Sequence, residues 1–153
     1  MNEFVADKIM AEEKYTDSEP SSEKKGNVYQ VRWNVKLDKY DGKLEIEVNY
    51  IPCIEIRISF MEVYEKICLR RLEVPLDPNI TYNHRNTKSC GNTDIFKGMH
   101  KHKFQNKTLD GCAYVPNDID LKSSTSMIRT FAKECNISIN GNIPSVLLQR
   151  TLI

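Results

Sequence analysis

All the histidine in this chain falls in one stretch. His84, His100 and His102 are its 3 histidines in 153 residues, and random placement would scatter them. His100 and His102 stand two apart in MHKHKF, a run that reads as a short strand. Alternate side chains of a strand share a face, so both imidazoles project together while Lys101 and Lys103 project the other way. Such a pair is a two-ligand platform, because the backbone fixes the ring separation and a loop residue can close over it. His84, at the start of the preceding loop, supplies that third ligand. Zinc takes four ligands from His, Cys, Asp or Glu at about 2.0 to 2.3 Å. The expected cofactor is therefore Zn2+, with the fourth position open among Cys90, Asp94, Asp110, Cys112, Cys135 and water.

The same stretch is basic. Arg85, Lys88, Lys97, Lys101, Lys103 and Lys107 face only Asp94 between residues 84 and 107, a net charge of +5 before any histidine is protonated. Histidines beside cations can act as general acid and base on a phosphate, the chemistry of a toxin-like ribonuclease or a metal-dependent phosphoesterase. The six cations equally form a partner-binding surface for a protein loaded with nucleic acid. The chain carries no phosphate-cradling Gly loop, no nucleophile elbow and no H-E-x-x-H.

These residues need a sheet to hold them, and the middle of the sequence provides one. Tyr29, Val31, Trp33, Val35 and Leu37 alternate with Gln30, Arg32, Asn34 and Lys36, and Leu44, Ile46, Val48 and Tyr50 alternate with Glu45, Glu47 and Asn49. That period of two predicts strands with one wet face. Between them LDKYDGK holds the Asp-Gly pair of a hairpin turn. Pro52 breaks the second run, Ile54, Ile56, Ile58 and Phe60 resume it, and KICLRRLEV reads as a further strand. MHKHKF and CAYVP are short strands separated by the turn chemistry of QNKTLDG.

Helices are expected at both ends. Phe4, Val5, Ile9 and Met10 keep helical spacing, followed by the polar linker TDSEPSSEKKGN, so that residues 1–26 carry a net charge of −3. In SSTSMIRTFAKEC one face collects Met127, Ile128, Phe131, Ala132 and Cys135, with Ser123 or Ser124 as N-cap. An edge strand around residues 137–139 follows. The expectation is a single α+β domain over residues 1–153: helix and linker to 26, a β-rich body over 27–120, then helix and tail over 121–153. In it a curled antiparallel sheet of four to six strands carries a helix from each end.

Composition narrows the setting. A formal net charge of +1 gives no global case for nucleic acid or membrane, and no apolar run approaches a membrane span. The charged N-terminus lacks the apolar region of a signal peptide. Cys53, Cys68, Cys90, Cys112 and Cys135 are odd in number and form no CxxC pair, which predicts reduced thiols and a cytoplasmic protein.

Taken in order, IRISFMEVYEKICLRRLEV, NHRNT, HKHKF, LDGCAYVP and FAKECNI resemble the pattern of a family of small proteins from bacteria and their mobile elements. Arg71-Leu72-Glu73 matches its R-L-D, and His84-Arg85-Asn86 matches P-H-x-N-P-D-G without the Pro-Asp-Gly. His100, His102 and Phe104 match H-x-H-x-Y. Asp110, Ala113, Tyr114 and Pro116 match D-K-W-A-Y-P-L, with Cys112 in place of Trp, and Cys135-Asn136-Ile137 matches the final C-N-I. The resemblance implies one constellation of His84, His100, His102 and Asp110, and makes Asp110 the fourth metal position.

In size, mixed charge and lack of a catalytic motif the chain also looks similar to anti-CRISPR proteins, including inhibitors of Cas9-type effectors. That likeness implies a non-enzymatic phage or mobile-element protein with structural zinc, which inhibits a host defence complex by stoichiometric binding. Its basic stretch would meet guide RNA or an acidic surface, and its acidic N-terminal segment a positively charged nucleic-acid channel. The enzyme above is the alternative. An antitoxin is a third reading, against which stands the lack of a helix-turn-helix.

Overall fold

A computed structural model describes residues 1–83, 88–90, 95–105, 111–119 and 122–148. In chain order the elements are α1 (Glu3–Ala11), β1 (Lys14–Thr16), β2 (Ser21–Lys25), β3 (Val28–Lys36), β4 (Leu44–Ile51), β5 (Glu55–Glu62) and β6 (Ile67–Pro75). There follow β7 (Thr81–Asn83), β8 (Lys88–Ser89), β9 (Ile95–Lys97), β10 (His100–Lys103), β11 (Cys112–Tyr114), α2 (Ser124–Glu134), β12 (Ile137–Ser138) and the single turn α3 (Ser145–Leu148). The α+β class holds.

The long alternating runs build the centre. β3 and β4 form the antiparallel hairpin that Asp-Gly predicts, with Trp33 opposite Ile46, and β5 and β6 extend it. Val31, Trp33, Val35, Ile46, Val48, Ile56, Ile58, Phe60 and Leu72 are buried on one face. Arg32 and Glu47 pair at 2.8 Å on the other, beside Gln30 and Asn49. Two helices cover the apolar face. α2 begins at Ser123, one of its two candidate caps, whose side chain accepts from the Ser126 N–H. It buries Met127, Ile128, Phe131 and Ala132, and the same core takes Ala6 and Ile9 from α1. Phe4, at the start of the same helix, is exposed.

Two expectations are corrected. The sheet is larger than four to six strands: its main path runs β12-β1-β3-β4-β5-β6-β10-β11-β8, with β2 also on β3, and it is not strongly curled. Of the extra strands, β2 comes from the polar segment read as linker, β1 from the residues leading into it, and β8 from the stretch ahead of His100 and His102. β1 and β2 both pair with β3, and β2 does so with all five residues exposed. Backbone hydrogen bonding to a formed hairpin, not burial, makes SSEKK a strand, and such a strand leaves no periodic signal. The tail does add an edge strand, β12, and it lies parallel to β1 with Ile137 opposite Lys14.

The ends of the chain are tied together by polar contacts. The buried Lys14 ammonium donates to the carbonyls of Ile9 and Glu12, closing the C-terminal end of α1. Asn136, just past α2, donates from its side chain to the carbonyls of Met10 and Ala11. Phe131 is fully buried where α2 meets the sheet. Phe131→Ala is expected to cost about 3 to 5 kcal/mol, read as a lowered urea midpoint with an unchanged slope.

Candidate metal centre

The site arises where β6 and β10 pair. Their antiparallel register sets His100 opposite Glu73 and His102 opposite Arg71. Alternation along β10 then sends both imidazoles to the polar face of the sheet, where Glu73 and Arg71 also point, while Lys101 goes to the helical face. Two glycines let β10 sit there. Gly98 at φ 72° turns the chain into β10, and Gly111 at φ 65° starts β11, where a Cβ would collide with the Lys103 carbonyl.

Glu73, His100 and His102 each offer one donor atom, and these atoms all lie within 4.8 Å of one another. All three residues are buried, at 4%, 0% and 3% exposure. His100 Nε2 is 3.1 Å from Glu73 Oε2, and His100 Nδ1 is 3.1 Å from the Gly98 carbonyl oxygen. The carbonyl only accepts, so Nδ1 carries a proton and donates it. In neutral His100 the Nε2 lone pair therefore faces a carboxylate oxygen, an arrangement that calls for a cation between them: a proton or a metal ion. Two donors bound to one tetrahedral zinc lie about 3.3 Å apart, close to the spacing present. The fixed Nδ1–H is the outer hydrogen bond that orients metal-binding histidines.

Glu73 is held as a carboxylate. Burial pushes its pKa up, but the His100 hydrogen bond, Arg71 and Arg57 outweigh burial and bring it down to about 2. Arg71 Nε and Arg57 Nε lie 2.9 and 3.3 Å from Oε1, which leaves Oε2 turned to His100. Two imidazoles and a carboxylate suit Zn2+ and other divalent first-row metals. The residues fit such an ion.

The structure brings together two of the expected ligands, His100 and His102, and adds Glu73 of the Arg71-Leu72-Glu73 motif, which was not among the expected ligands. His84, Asp94 and Asp110, with Arg85 and Lys107, lie outside the described residues. Three alternative fourth ligands are set aside. Cys90 and Cys112 are joined in a disulfide, which also corrects the expectation of five reduced thiols. They meet because β8 runs parallel to β11 and brings their Cα atoms within 5.1 Å. Cys135 sits in the core under α2, where burial pushes its thiol up to about 12; it stays protonated on the face opposite the histidines.

The basic partner surface also changes. Lys88 and Lys97 lie in β8 and β9, and Lys103 is exposed. Lys101 is fully buried, not offered to a partner. Its ammonium is 2.8 Å from Asp118 and bonded to Glu134 of α2. Glu134 also takes a bond from the Tyr114 hydroxyl at 3.2 Å and lies 3.4 Å from Arg70. Burial and Glu134 raise the Tyr114 pKa, so the phenol stays protonated. β10 thus carries the histidines on one face and an ionic anchor to α2 on the other.

Scans against protein-family models, curated proteins and solved structures each found no match for this chain.

Two substitutions test how the site is positioned. Lys101→Met breaks a buried ion pair and is expected to cost about 3 kcal/mol, read by denaturant unfolding. Gly111→Ala forces an L side chain into a left-handed conformation, at a cost of about 1 to 3 kcal/mol, and should weaken metal binding in a titration followed by heat.

Proposed function

We propose that this chain is a small zinc-binding protein without enzymatic activity, carried by a phage or mobile element, that inhibits a host defence complex by stoichiometric binding. The class of target is a nucleic-acid-guided effector of the Cas9 type. The observation that carries the non-enzymatic reading is the burial of the donors: His100 is 0% and His102 3% exposed. A catalytic zinc keeps a position open to substrate, whereas a structural zinc is closed. A ribonuclease or phosphoesterase would need at least one of these imidazoles to reach a phosphate.

In this reading the zinc holds β6 to β10, with Glu73, His100 and His102 as three ligands and His84 or Asp110 completing the set. The rigid fold then exposes single apolar side chains to a protein partner: Phe4 in α1, Tyr64 in the turn between β5 and β6, and Val115 just past β11, at 77%, 71% and 60% exposure. Nucleic acid would be met only through the basic stretch around Lys103. No helix among the described residues is long and apolar enough to cross a membrane. The protein would act in the host cytoplasm, where its target is found.

Elemental analysis with thermal melts tests the zinc. One zinc per chain is expected, and a strong chelator should lower the melting temperature by on the order of 10 °C, since metal-binding free energy is then folding free energy. Titration into a Cas9-type cleavage reaction should give inhibition that saturates at one protein per effector. Multiple-turnover RNA cleavage lost in His102→Ala would overturn the reading in favour of the enzyme.

A further inference from the structure

We propose that the Cys90–Cys112 disulfide controls the metal affinity of the Glu73–His100–His102 centre, so that its reduction loosens the centre and weakens metal binding. The proposal rests on the metal reading above. Its first support is topological: the bridge spans 22 positions and encloses both histidines in one covalent ring. That ring also contains all of β10, so opening it restores freedom to the segment that must be ordered before His100 and His102 can face Glu73.

The second support is what the bridge holds in place. β11 is the neighbour of β10 on the side away from Glu73, with Cys112 opposite Lys103 and Ala113 opposite His102. β8 clasps β11 from outside through two residue pairs, and the Cys90 N–H donates to the Ala113 carbonyl at 2.9 Å. A strand of two residues is a weak clasp by itself. The covalent link between Cys90 and Cys112 makes it firm, directly beside the pair that positions His102.

The third support is access. Cys90 is exposed, whereas Cys112 is 3% exposed. An external thiolate therefore attacks Cys90 Sγ. The S–S bond breaks, its electron pair leaves on Cys112 Sγ, and that sulfur takes a proton from solvent. A second thiolate attacks the mixed disulfide, releases Cys90 as a thiol and leaves as the small-molecule disulfide. Two electrons pass from two thiols to the bridge. Intracellular disulfides are commonly of this transient, redox-sensing kind, and linkage requires that bound metal oppose reduction by the same factor.

The test measures zinc affinity by competition with a chromophoric chelator. It compares the oxidised protein, the protein reduced with excess small-molecule thiol then cleared of it by anaerobic gel filtration, and the Cys90→Ser/Cys112→Ser variant. The variant removes the bridge without adding thiol ligands. The dissociation constant should rise about tenfold or more in both bridge-free forms. Affinities equal within twofold, or tighter binding after reduction, would overturn the linkage and leave the metal reading standing. No zinc on the oxidised protein would overturn the metal reading itself. A check independent of the variant's folding uses the native chain in a glutathione redox buffer: zinc should shift the midpoint of reduction toward more reducing conditions, and an unchanged midpoint would contradict the linkage.

Discussion

The pairing of β10 with β6 is the constraint on which the site depends. One residue of slip would turn the two imidazoles to the helical face and put Lys101 beside Glu73. The register is fixed from both sides. On the polar face His100 meets Glu73. On the helical face Lys101 is drawn into Glu134 and Asp118. Each contact supports the other, because a slip would take the Lys101 ammonium away from Glu134 and Asp118 and the His100 imidazole away from Glu73.

Burying this much charge in a small domain needs compensation. Glu73 is flanked by two arginines as well as His100, and Lys101 by two acids. A buried ion pair adds little net stability over apolar packing but costs heavily when broken. Its value here is orientation: the ion pairs fix which face of β10 looks at which neighbour. A metal ion between His100 Nε2 and Glu73 Oε2 would lock the same geometry more firmly than a proton.

Much of this was legible in the sequence, within physical limits. The β3–β4 hairpin, the cap and face of α2 and the shared orientation of His100 and His102 follow from local periodicity and turn chemistry. Glu73 was not legible as a ligand, because cross-strand register depends on distant partners. A signal did exist, in an acid set inside LRRLEVP between Leu72 and Val74, where an unpaired carboxylate would be costly. Lys101 was placed on the correct face and given the wrong environment: an interior strand has both faces covered, so pointing away from the histidines means pointing at α2. The Cys90–Cys112 bridge depends on the parallel β8–β11 pairing, which leaves no trace in cysteine spacing.

The central claim is that a metal ion joins β6 to β10 through Glu73, His100 and His102. X-ray absorption at the zinc edge of the purified protein tests it most directly. The account predicts two imidazole nitrogens, or three where His84 completes the set, with oxygen in the remaining coordination and no sulfur. Sulfur at the thiolate distance of about 2.3 Å, or a spectrum unchanged by His100→Ala, would contradict it.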